Sequence, residues 1–89
     1  MRVWLIDWRG KVWECTVVEQ SRTHVAVRTV VSTELIRLSC ADLSAGIVEH
    51  SMRVPLHRGE RRWAPQTLRF TADADVARRH PPGPMPRDA

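Results

Sequence analysis

Thr33-Glu34-Leu35-Ile36-Arg37-Leu38-Ser39-Cys40-Ala41-Asp42-Leu43 decides the fold, because it reads either as a strand or as a helix. As a strand, it puts Ile36, Leu38 and Cys40 on one face and Leu35, Arg37 and Ser39 on the other. As a helix, Ser32 or Thr33 caps it, and Ile36, Cys40 and Leu43 fall at i, i+4 and i+7. Periodicity alone does not settle so short an apolar run. The strand is the reading adopted, with Ser39 to Leu43 as a short helical turn. The alternative, a helix over 33–43, would replace an all-strand body with an α+β fold.

On the N-terminal side the chain reads as consecutive short strands. Asp7-Trp8-Arg9-Gly10 carries Asp at the first and Gly at the fourth position of a type I turn. With Gly10 left-handed, this becomes a three-residue hairpin loop closed by a bulge. The register then sets Asp7 opposite Lys11, Leu5 opposite Trp13 and Val3 opposite Cys15. Period-two alternation places Val3, Leu5, Trp13, Cys15 and Val17 on the core face. Arg2, Trp4, Ile6, Val12, Glu14 and Thr16 form a mixed outer face, with Trp4 lying partly exposed against the aliphatic part of Glu14. Gln20 to Thr23 is turn-like. His24 to Val31 is a β-branched strand with Val25 and Val27 inward and Ala26 and Arg28 outward, and Ser32-Thr33 is the next break.

On the C-terminal side Gly46 to Val54 supplies a further strand, and Pro55 interrupts the pattern. Residues 55–71 read as a basic extension in which Trp63 to Phe70 could return as an edge strand or hairpin. From 72 onward three prolines and a glycine crowd into Pro81 to Pro84, with sizeable apolar groups only at Val76 and Met85. This segment, 72–89, reads as a disordered Pro-rich tail. Residues 1–54 are therefore the expected domain. At 89 residues the chain has room for one small core.

The succession of strand, tight turn, strand, turn, strand, break, strand, helical turn and strand resembles the small SH3-like β-barrels, the group that includes Tudor and KOW modules. The residues that carry the likeness are Gly10 to Val18, His24 to Arg28 and Ile36 to Leu43. The resemblance implies a mostly β, antiparallel SH3-like barrel over roughly residues 2–54, with Leu43 as the leucine that plugs it. The fold hosts many functions and constrains function poorly. The plasmid-borne type II dihydrofolate reductases are similar small chains, but their active-site strand bears Gln and Tyr. Leu35 to Ser39 would be the matching stretch, and this chain has no Tyr.

Charge is the sharpest functional clue. Between Arg53 and Phe70 the arginines Arg53, Arg58, Arg61, Arg62 and Arg69 face a single acid, Glu60, which accounts for the whole net charge of +4. The stretches on either side each balance. Thirteen arginines against one lysine is a bias that GC-rich coding also produces, so the clustering carries more weight than the total. Arg58-Gly59-Glu60-Arg61-Arg62-Trp63 interleaves guanidinium groups with an aromatic ring. Arg meets phosphate with a bidentate fork, and Trp offers a base a stacking surface. The same residues also suit a solvated hairpin whose arginines lie over apolar surface.

These features lead to a non-enzymatic module that contacts nucleic acid or a nucleoprotein complex through Arg53, Arg58, Arg61, Arg62, Trp63 and Arg69. The competing reading is a protein–protein adaptor or inhibitor of the kind encoded by phage and mobile elements. It would anchor through Trp4, Ile6, Trp8 and Trp63, with the arginines on an acidic partner surface. Trp4, Ile6 and Trp8 could instead be covered by the chain's own Arg53–Phe70 segment or by a second copy in a homodimer.

Other chemistry finds little support. Cys15, Cys40, His24, His50, His57 and His80 show no paired zinc-type spacing, and no cofactor is expected. No Gly-rich elbow or legible orienting carboxylate accompanies the thiols, so no catalytic residues are expected. Glycines 10, 46, 59 and 83 are isolated and form no phosphate cradle. No apolar run approaches the roughly 20 residues of a membrane span. Asp7 interrupts the apolar N-terminus, and no small-residue cleavage site follows it. With two cysteines and no disulfide framework, a reduced cytoplasmic protein is the expectation.

Overall fold

The computed structural model describes residues 1–55 and 63–79. The chain is mostly β. Its elements in order are β1 (Trp4–Ile6), β2 (Val12–Glu14), β3 (Thr16–Gln20), β4 (His24–Thr29), β5 (Ser32–Ser39), α1 (Cys40–Ala45), β6 (Val48–Pro55), β7 (Trp63–Thr71) and α2 (Ala74–Arg79). They build two antiparallel sheets, one ordered β2-β1-β7-β6 and the other β3-β4-β5.

The Thr33–Leu43 stretch resolves as strand followed by helix. Ile36 and Leu38 are buried on the inner face, while Leu35 and Arg37 are exposed. The strand ends because Ser39 turns its hydroxyl to the Asp42 amide at 3.4 Å and caps α1. Gly46, at φ 151°, ends the helix in a conformation that side chains avoid. Leu43, on α1, is 1% exposed and packs into the core between the sheets. The helix alternative over 33–43 does not hold.

The β1–β2 hairpin follows the turn chemistry of Asp7 and Gly10. Gly10 sits at φ 83°, and its amide donates to the Asp7 carbonyl at 2.9 Å. Leu5 pairs with Trp13 and Trp4 with Glu14, and the Cys15 amide donates to the Val3 carbonyl at 2.8 Å. Only Cys15 separates β2 from β3, so one bent segment passes from the first sheet to the second. Asp7 holds the hairpin from inside. Its Oδ1 accepts from the Arg9 and Lys11 amides, both at 2.9 Å, and its Oδ2 accepts from Trp13 Nε1 at 3.1 Å. This buried carboxylate has donors on both oxygens, as burial of a charge requires.

Val3, Leu5, Cys15, Val25, Val27, Ile36, Leu38, Leu43, Met52, Val54, Leu68 and Phe70 form one continuous core between the sheets. Among the described residues β5 and β6 share no ladder, so the seam between them is open and no closed barrel is present. His24 to Val31 is shorter than the sequence pattern suggests. β4 ends at Thr29, the turn takes Val30 and Val31, and Ser32 already belongs to β5. Ala26 is buried although it points outward, because its small side chain lies between Glu19 and Arg37 on the paired strands.

Two expectations about the C-terminal half change. The basic extension is not appended to a finished body: β7 lies inside the four-stranded sheet, pairing with β6 along its length and with β1 through Arg69–Thr71. Leu68 and Phe70 are fully buried, so the alternation of this segment is that of a core strand. The segment read as tail begins with structure. Asp73 Oδ1 accepts from the amides of Asp75 at 2.8 Å and Val76 at 3.3 Å, which caps α2. Asp75 in its first turn and Arg78 and Arg79 in its last suit the helix dipole. The helix packs on β1 and β7, with Ala77 1% exposed. Residues 80–89 lie outside the described residues.

Candidate functional site

β6 and β7 set the candidate residues by parity. In the hairpin register Pro55 faces Trp63, Arg53 faces Pro65 and Glu49 faces Arg69. Met52, Val54, Leu68 and Phe70 alternate with these residues and fill the core. Arg53, Trp63 and Arg69 therefore share the outer face of the sheet. Trp4 and Ile6 on β1 have the same parity, since they pair with Thr71 and Arg69. The topology thus brings together two sets of residues that the sequence presents separately.

They are not equivalent once placed. Trp63 is 48% exposed, and Arg53 lies beside it, its Nη2 donating to the Trp63 carbonyl at 3.5 Å. Among the described residues Arg53 makes no ion pair, whereas Arg69 Nε lies 3.5 Å from Glu49 Oε1. Arg69 is half-buried in that pair, so its guanidinium is less open to a further anion than that of Arg53. Arg58, Arg61 and Arg62 lie outside the described residues.

The proposed Trp4–Ile6–Trp8 surface is corrected. Ile6 is 1% exposed, because α2 packs over β1. Trp8 packs against the interior core, with the Arg9 guanidinium 5.2 Å from its ring centre. It leaves the strand at the turn and so escapes the outward parity that period-two counting gives it. Trp4 alone remains half-exposed on the outer face. Arg2 lies 5.1 Å over its ring and reaches Glu14 through two hydrogen bonds, Nη2 to Oε1 at 2.6 Å and Nε to Oε2 at 3.1 Å. Those bonds hold the Glu14 carboxyl below the usual carboxylate range and raise Arg2 further.

A cleft of about 640 Å³ opens at the seam where β5 and β6 fail to pair. Ser32, Thr33 and Glu34 line one wall, and His50, Arg53 and Trp63 the other. Glu34 has the inward parity of Ile36 and Leu38, and among the described residues it has no cationic partner. The Glu34 amide donates to Ser32 Oγ at 3.0 Å, which fixes the start of the strand. His50 meets the Phe70 ring edge-on, with the ring centres 6.4 Å apart. Sequence reasoning missed this cleft, because its two walls come from strands that never pair and no local pattern joins them.

Cys15 is buried in the core, and burial pushes its thiol up to about 12, so it is no nucleophile at neutral pH. Cys40 is half-buried and points its sulfur toward the Ser21 carbonyl at 3.9 Å. Among the described residues no three His, Cys, Asp or Glu side chains converge as a metal site would need. No described helix is long and apolar enough to cross a membrane. Compared with protein-family models, curated proteins and solved structures, the chain matches none of them.

Proposed function

We propose that this chain is a non-enzymatic binding module of the cytoplasm that contacts nucleic acid, alone or within a nucleoprotein complex, through the β6–β7 hairpin. The scaffold we infer is an SH3-like barrel left open between β5 and β6. The observation that carries the reading is the pairing of an exposed Trp63 with Arg53, a cation with no acidic partner among the described residues. Both belong to a segment whose sequence holds the chain's entire charge excess.

The chemistry follows from the residue types. Arg side chains release condensed counterions from a phosphate backbone, which makes affinity fall steeply with salt. An indole offers its face to any base, so the stacking contact tolerates sequence. Contacts of this kind position the protein without reading bases. Of the four anchors of the adaptor reading, Ile6 is covered and Trp8 packs on the core, which leaves Trp63 and the half-exposed Trp4 on separate parts of the sheet.

Fluorescence anisotropy with random single- and double-stranded oligonucleotides, at low and high salt, tests the proposal. Binding at low salt that weakens log-linearly with salt is expected. Absence of binding at low salt would overturn it.

A further inference from the structure

Resting on that nucleic-acid reading, we infer that the β5–β6 cleft takes one unstacked base of a single strand, and that the base it suits best is guanine. The walls of the cleft differ in chemistry. Arg53 and Trp63 supply a cation and a ring face, while Glu34 supplies a carboxylate with no cation beside it among the described residues. A nucleotide unit has the complementary parts: an anionic phosphate, a flat ring and a polar edge. Trp63 stacks the ring, Arg53 meets the adjoining phosphate, and Glu34 accepts hydrogen bonds from the base edge.

The carboxylate selects the base. An ionised carboxylate only accepts, through two oxygens side by side. Guanine alone offers two adjacent donors on its Watson–Crick edge, the N1–H and the exocyclic N2 amino group. Adenine and cytosine offer an amino group next to an acceptor nitrogen, and uracil offers a single N–H between two carbonyls. A fork of two hydrogen bonds from guanine satisfies both oxygens of Glu34, and the other bases leave one oxygen unmatched or opposed.

Size and access agree. At about 640 Å³ the cleft is within the range of small-molecule sites and holds a base with part of its sugar. In a duplex the Watson–Crick edge of guanine is already paired, so only a single strand or a flipped base presents it. Ser32 and Thr33 border the same wall, and Ser32 Oγ accepts from the Glu34 amide at 3.0 Å, which fixes the backbone that carries Glu34.

The test uses the full chain and uridine-tract oligonucleotides carrying one central guanosine, inosine or adenosine, followed by anisotropy at fixed low salt. The guanosine strand should bind about fivefold to a hundredfold more tightly than the inosine strand, which lacks only the N2 amino group. E34Q should abolish that ratio while leaving, or raising, affinity for the plain uridine tract. R53A and W63A should weaken all strands alike. Equal affinity for guanosine and inosine, or a ratio that survives E34Q, would overturn the guanine inference and leave the nucleic-acid reading standing. Failure of every strand, duplex included, to bind at low salt would overturn both. Circular dichroism of each variant, compared with the parent chain, shows whether a lost signal reflects the site or the fold.

Discussion

Replacing Asp7 by Asn should destabilise the protein through one atom, and the structure says which. Both backbone donors of the turn, the Arg9 and Lys11 amides, bond to Oδ1, while Trp13 Nε1 and Arg9 Nη2 bond to Oδ2. An Asn side chain retains an oxygen for the two amides but sets an NH2 group 3.1 Å from the indole N–H, donor against donor. A hydrogen bond to a charged group contributes about 1.5–3 kcal/mol, and here it is replaced by a repulsion in a site that water does not reach. The expected loss is about 2–3 kcal/mol, a large share of the roughly 4–13 kcal/mol that a chain of this length commands. At an m-value of about 1 kcal/mol/M the urea midpoint should fall by about 2–3 M. The double-mutant cycle isolates the atom. W13F removes the opposing donor at a cost of about 1–2 kcal/mol, and in that background D7N should cost about 1 kcal/mol or less. Urea titrations followed by far-ultraviolet circular dichroism, with unchanged m, give all four corners. A coupling below about 0.5 kcal/mol would refute the assignment of Oδ2 to Trp13.

The cover over β1 is tested by A77D, which sets a carboxylate at a position 1% exposed and above the equally buried Ile6. The unfolding free energy should fall by about 2–4 kcal/mol, lowering the urea midpoint, and amides of residues 74–79 should lose their protection from hydrogen exchange. An unchanged midpoint would refute the packing of α2. The thiols should separate cleanly: with Cys15 pushed up to about 12 by burial, iodoacetamide at mildly alkaline pH should label Cys40 in the folded chain and both cysteines in urea. Equal labelling of the two in the folded state, read by peptide mass spectrometry, would contradict the buried position of Cys15.

What was legible in the sequence is local. Asp7 and Gly10 announce their turn, and the turn sets the register of β1 on β2, which in turn sorts Val3, Leu5 and Cys15 inward. The strand over Ser32–Ser39 and the helical turn after it follow from alternation and from a capping serine. Period-two counting fails where the count is right but the environment is not local. Ile6 has outward parity and is still buried, because the layer that covers it arrives from residues 74–79. Asp73, Asp75, Arg78 and Arg79 stand in the order of a capped helix, but six residues are too few for periodicity to reveal beside so many prolines. The cleft is less legible still. Its walls are brought together by the way two sheets face each other, and no pattern along either strand records that.

The basic segment shows why this matters for choosing experiments. Read from the sequence, the charge begins where the expected domain ends, so truncation after Val54 looks like the natural way to remove the function. In the structure that truncation removes β7, the strand that pairs with both β1 and β6. Leu68 and Phe70, both fully buried, go with it, as does the α2 cover over Ile6. Loss of one buried Leu or Phe side chain costs about 2–5 kcal/mol, so losing two together with a central strand exceeds the stability available. Residues 1–54 alone should therefore give a denatured spectrum by circular dichroism, and their failure to bind anything would say nothing about arginine chemistry. A folded 1–54 fragment with a cooperative melt would show that β7 is dispensable and restore the appended-segment picture. Outer-face substitutions such as R53A and W63A avoid the problem, because the side chains they remove lie opposite the core residues that hold the sheet together.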